Sequence, residues 1–129
     1  MRLAPFVSLF FLLGSLPLQT ACSPAPDLTG TWGWEYNENP AGSSSTMFLR
    51  EASGAVTGTG FDRGVGPLAV TDTLAITGSR LGTSFGLHLT SHGGRSISYA
   101  GQLLGRDELQ GTWIEAPDTA GATVVFYRR

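Results

Sequence analysis

Leu28-Thr29-Gly30-Thr31-Trp32-Gly33-Trp34 decides the fold, together with its echo Leu109-Gln110-Gly111-Thr112-Trp113 near the other end of the chain. In the first stretch Trp32 and Trp34 recur every second residue, with Tyr36 continuing the series, so a strand over 29–36 carries all three rings on one face. Two Gly-Thr-Trp strands at the two ends of a run of short alternating strands are the pattern of a sheet that closes on itself.

Working outward, period-two alternation between turn signals predicts eight strands. After the loop 37–42, rich in Asn, Pro and Gly, a strand over 44–51 shows Met47 and Leu49 on one face. Ser53-Gly54 turns the chain into a strand over 55–61, whose Gly58 and Gly60 leave one face nearly bare. The clearest alternation runs over 68–79, where Leu68, Val70, Asp72, Leu74 and Ile76 oppose Ala69, Thr71, Thr73, Ala75 and Thr77. Phe85, Leu87 and Leu89 mark a fifth strand, Ile97 and Tyr99 a sixth, and 109–114 and 123–128 the last two. No stretch after the N-terminal segment carries a helical period, and the connections are short, so neighbours pair as antiparallel hairpins. Closure removes the unpaired edges of an open meander, whereas a two-sheet sandwich needs longer crossing connections. The expectation is an all-β, single eight-stranded antiparallel up-and-down barrel.

The N-terminus reads as an export signal. Arg2 precedes the apolar run Phe6-Val7-Ser8-Leu9-Phe10-Phe11-Leu12-Leu13, which is well short of the roughly 20 residues of a spanning helix. Leu18-Gln19-Thr20-Ala21-Cys22 resembles a bacterial lipoprotein cleavage box, departing from it at Gln19, where such boxes carry an aliphatic residue. That resemblance implies lipidation of Cys22 after removal of 1–21, a tether over 22–27, and a barrel domain over 28–129. Ser23, in place of an acidic residue, implies an outer-membrane lipoprotein of the cell envelope. Plain cleavage after Ala21 is the alternative and yields a secreted soluble protein. Cys22 is the only Cys, so no disulfide and no Cys-based zinc site forms within the chain.

There is no Lys, and neither sign of charge clusters along the sequence. With a formal net charge of −2, nucleic acid is not an expected partner, and membrane contact is expected only through the lipid.

In order, Leu28-Thr29-Gly30-Thr31-Trp32, Gly54-Ala55-Val56-Thr57-Gly58-Thr59, Thr83-Ser84-Phe85-Gly86-Leu87-His88-Leu89, Tyr99-Ala100-Gly101-Gln102 and Gln110-Gly111-Thr112-Trp113 resemble the successive strands of the avidin family. The same Gly-Thr-Trp and Thr-Gly-Thr motifs recur in lipocalin-like barrels. The resemblance implies a meander barrel able to hold a small ligand. It does not carry biotin: the family's polar and aromatic contacts fall on Trp34, Gly60, Ser91, Ile97 and Val124, and only Trp113 and the aromatic Tyr99 keep the pattern. Polar contacts of a buried site are worth about 1–3 kcal/mol each, so their loss removes high-affinity biotin binding.

The candidate ligand-binding residues are Trp32, Trp34, Asp72, Tyr99 and Trp113. An eight-stranded interior is either filled by side chains or holds one small ligand. Asp72 is the outlier, because alternation puts a carboxylate on an apolar face. It anchors a ligand's polar end, points to water through a bulge, or pairs internally with an Arg. His88 falls on the outer face and His92 in a Gly-rich turn, so no metal site is expected. No catalytic residue, cofactor motif or nucleophile constellation stands out, and the expectation is a protein that is not an enzyme. The expected function is a binding module for a small apolar ligand walled by Trp34, Tyr99 and Trp113; the alternatives are a filled barrel that binds or inhibits a protein partner through loops such as 37–42, and a structural envelope lipoprotein.

Overall fold

The computed structural model describes residues 26–35, 44–63 and 71–129. They form one closed barrel of eight antiparallel strands in up-and-down order, β1 (Gly30–Glu35), β2 (Ser44–Ala52), β3 (Ala55–Arg63), β4 (Thr71–Leu81), β5 (Ser84–Ser91), β6 (Ser96–Leu104), β7 (Glu108–Glu115) and β8 (Ala122–Arg128). Among the described residues there is no helix. The sequence pattern therefore yields the expected fold, with several strands one to four residues longer than the alternation suggested. Leu68 and Val70, expected in the fourth strand, lie outside the described residues, as does Tyr36.

Tight turns set the hairpin register. Ser53 and Gly54 both take positive φ, 50° and 82°, as a two-residue type I′ connection requires, and its twist matches that of the flanking strands. From there the register runs round the ring without a slip: Trp32 faces Met47, Met47 faces Gly60, Gly60 faces Leu74, Ile76 faces Leu89, Leu87 faces Tyr99 and Tyr99 faces Trp113. The closing seam is short, with two β1–β8 register pairs, Trp32 to Arg128 and Gly33 to Tyr127, and Arg129 N–H donating to Thr31 O at 2.9 Å.

The inward set is the core. Trp32, Met47, Leu89, Ile97, Tyr99, Leu109 and Phe126 are fully buried. Tyr99 lies at its centre, its ring 5.2 Å from Phe85, 5.2 Å from Phe126 and 5.8 Å from Trp113. Such aromatic pairs add to the burial term. Its hydroxyl lies 2.8 Å from Val124 O and 3.1 Å from Leu109 O, so the buried donor is satisfied by backbone. Burial pushes the Tyr99 phenol well above its ordinary range. The bare face at Gly58 and Gly60 is not empty space. A Cβ at Gly60 would stand 3.2 Å from Ile76 Cδ1, and one at Gly58 only 2.2 Å from Phe48 O and 3.1 Å from Leu49 Cδ2. Gly101 and Gly111 face each other across β6 and β7, with a Cβ on Gly101 reaching 2.0 Å from Gln110 O. The two strands close up there because neither carries a side chain, the kind of glycine kink that bends a sheet into a barrel.

One end of the barrel is shut. Leu28 is fully buried, and its carbonyl accepts from Trp32 Nε1 at 2.9 Å. Arg128 lies 4.3 Å from the Trp32 ring centroid and donates to Thr29 O at 2.6 Å and Asp27 O at 3.0 Å, so it clasps the entering chain. Beside it Arg80 and Glu51 form a bidentate pair, with Nη2 to Oε2 at 2.8 Å and Nε to Oε1. Arg80 is 14% and Glu51 3% exposed at the side chain. The Glu51 hydrogen bond, foremost, holds the Arg80 guanidinium above its ordinary range.

Candidate functional site

The opposite rim differs in chemistry. Trp34, Ser45, Asp62 and Asp72 follow one another in register across β1, β2, β3 and β4, one inward-facing rung at the end of the barrel away from Leu28. From the turn between β5 and β6, Arg95 reaches over this rung. Its Nη2 lies 2.9 Å from Asp62 Oδ2 and its Nη1 3.2 Å from Asp72 Oδ2. Its Nε, with Nη2 at 3.2 Å, takes both oxygens of Glu115 at the end of β7.

Like charges directly opposite on adjacent strands destabilise a sheet, and Asp62 sits directly opposite Asp72. Arg95 resolves the conflict by donating to both, and the fork of the guanidinium suits that geometry. The side chains are 19–37% exposed, so each pair alone contributes only about 0.2–1 kcal/mol. Their joint effect is to fix one cation among three carboxylates. Glu115 foremost, then Asp62 and Asp72, hold the Arg95 guanidinium well above its ordinary range. Nearby Arg63 and Asp118, both exposed, offset one another in charge. The described rim thus carries a surplus of negative charge.

Below the carboxylates the rim turns apolar. Trp34 and Trp113 are partly buried and packed on the core, with Trp113 stacked on Phe126 at 6.1 Å. Ser45, 2% exposed, has a side-chain oxygen with no hydrogen-bond partner. A buried hydroxyl in that state costs about 1–3 kcal/mol, and such groups ask for a specific explanation.

Of the residues singled out from sequence, Trp34, Asp72 and Trp113 meet at this end, whereas Trp32 and Tyr99 are core. Asp72 pairs with an Arg, Arg95, at the part-exposed rim. Cys22 and the loop 37–42 lie outside the described residues. His88 and His92 are exposed, and among the described residues no group of three His, Cys, Asp or Glu could hold a metal ion.

Sequence reasoning missed Ser45, Asp62, Arg95 and Glu115. Asp62 and Glu115 stand just beyond the strands expected over 55–61 and 109–114. Yet Asp62 continues the series Gly58, Gly60, and Glu115 the series Leu109, Gly111, Trp113, so carrying the alternation two residues further would have turned both inward. Arg95 carries no such signal, since it stands just before its strand.

Compared with protein-family models, curated proteins and solved structures, the chain matches none of them.

Proposed function

We propose that the protein is an exported, non-enzymatic binding module of the cell envelope, tethered through a lipidated Cys22, whose working end is the acidic rim of a filled barrel and whose target is a protein. The observation that carries this reading is the contrast between the two ends. The barrel interior is occupied by its own aromatic and aliphatic side chains, while one rim gathers carboxylates around Arg95. A filled interior favours recognition by the rim over capture of a molecule inside. A tether over 22–27 spans at most about 20 Å and joins the shut end at Leu28. Anchored there, the barrel turns its acidic rim away from the bilayer, toward partners.

The test is site-specific photo-crosslinking in the native envelope. A photoreactive residue at Thr71 or Asp118, both exposed at the rim, is expected to yield discrete protein adducts that Asp72→Asn abolishes. The same residue at His88 on the outer wall is expected to yield none. Absence of rim adducts, or equal adducts from His88, would overturn the proposal.

A second reading has one observation in its favour. Trp34 and Trp113 are the partly buried hydrophobic residues packed on the core, and a small apolar ligand could seat between them. Saturable quenching of tryptophan fluorescence by fatty acids or aromatic molecules, lost in Trp113→Ala, would support it. A flat response across that panel removes it.

A further inference from the structure

We infer that the acidic rim is a receptor for an organic cation, the ammonium or guanidinium end of a Lys- or Arg-type group, received between Asp62 and Asp72 with Ser45 beneath and Trp34 beside it. The inference rests on the reading of the rim as the working end and names the chemistry it takes.

Charge is the first ground. Three carboxylates meet one guanidinium, and Arg95 engages only the Oδ2 atom of each aspartate. No other hydrogen bond reaches either aspartate side chain among the described residues. Among the described residues, the Oδ1 acceptors of two carboxylates on neighbouring strands are therefore left to a further donor. Because the acids are only part-exposed, their field is less screened than that of a free surface pair.

Ser45 is the second ground, independent of the first. Its hydroxyl is buried and unpartnered, and the register sets it opposite Asp62 on one side and Trp34 on the other, all on the inward face. An arriving N–H donor supplies the hydrogen bond this oxygen lacks, whereas an apolar ligand leaves it unpaired.

Shape and selectivity follow from the remaining neighbours. Indole faces attract cations, at about 0.5–1 kcal/mol when exposed and about 2 when desolvated, and Arg128 over Trp32 at the shut end is an instance within this same barrel. The carboxylates are spread around a guanidinium rather than gathered on one point, and among the described residues no three form a metal cluster. Such separated acceptors suit a forked or chain-borne cation better than a compact divalent ion. An anion meets net repulsion.

The probes are trilysine, triarginine, triglutamate and spermidine, titrated into the protein bearing Cys22→Ser. The described core and both closing strands lie between Leu28 and Arg128, so this chain holds a complete barrel. Tryptophan fluorescence, to which Trp34 and Trp113 contribute, and calorimetry are the readouts. We expect saturable binding of trilysine or triarginine and none of triglutamate. Affinity should weaken at least fivefold between 50 and 300 mM salt, at least tenfold in Asp62→Asn/Asp72→Asn, and measurably in Ser45→Ala, with His88→Ala unaffected. Circular dichroism and the urea midpoint check that each variant keeps its fold. Binding of spermidine but not the peptides assigns the rim to a free polyamine. No saturable cation binding, or binding undiminished in the folded aspartate double variant, overturns the inference. Rim crosslinks that persist under that result leave the working end in place and refute only its cation chemistry, whereas cation binding without crosslinks does the reverse.

Discussion

Replacing Arg80 by Met is expected to be among the costliest single changes outside the apolar core. Glu51 is 3% exposed at its side chain, and among the described residues Arg80 supplies the two hydrogen bonds to its carboxylate. Removing one partner of a buried pair leaves an uncompensated charge and costs about 3–5 kcal/mol. Arg80 Nη1 also donates to Gly82 O at 2.6 Å, a contact the turn between β4 and β5 loses as well. Against the roughly 5–15 kcal/mol that holds a domain of this size, such a loss lowers the melting temperature by about 15 °C or more. The double variant Glu51→Leu/Arg80→Met removes the charge together with its partner and is expected to return to within about 1 kcal/mol of the parent. Urea unfolding followed by tryptophan fluorescence measures all four corners of the cycle, with the slope on denaturant checked for constancy. A cost below about 1 kcal/mol for Arg80→Met, or a double variant as unstable as the single one, would refute the claim that this pair is coupled.

Two further outcomes follow from the interior. Tyr99 is neutral when folded and its phenol is pushed above the ordinary range by burial, so its stabilising effect is whole below about pH 10 and drains by up to about 1.4 kcal/mol per pH unit above that; Tyr99→Phe costs about 1–2 kcal/mol at neutral pH through the lost backbone hydrogen bond and removes this component of the alkaline decline, read as urea midpoints between pH 9 and 11. Gly101→Ala forces β6 and β7 apart at 2.0 Å from Gln110 O and loses about 3 kcal/mol or more, whereas Gly86→Ala, whose Cβ meets nothing within 4 Å, gains about 0.4–1 kcal/mol; the two are compared by thermal melts.

The fold was legible because a meander barrel is written locally. Each strand alternates, each turn carries its own Gly or Ser-Gly, and consecutive strands simply pair, so no long-range information is needed until the ring closes. The shut end was partly legible: Trp32 was placed inside, but Glu51 and Arg80 stood where the alternation was handing over to a turn. The same blind spot hid the rim. Asp62 and Glu115 obey the inward period of Gly60 and Trp113, yet charge argues for solvent when each residue is judged alone. What made them inward-facing is mutual, one guanidinium reaching three carboxylates from different strands, and no strand by itself records it. Asp72 was noticed because its neighbours Leu74 and Ile76 made its parity conspicuous. Tyr99 was read as a ligand wall, since sequence does not reveal that its hydroxyl reaches backbone carbonyls of β7 and β8.

The short seam between β1 and β8 is the longest-range strand pairing of the barrel. Every other pairing joins consecutive strands, most of them across brief turns, so hairpins can form at small entropic cost as the chain is made. β1 is different: one of its edges finds β2 at once, but the other has no partner until Ala122–Arg128 has emerged. Until then the growing sheet is an open ribbon with an exposed edge, the state most prone to pairing with a neighbour. Leu28 and the clasp by Arg128 are also unavailable in that interval, because both depend on the closed ring. Closing the ring thus depends on the last strand, and a chain lacking Ala122–Arg128 would keep that edge open.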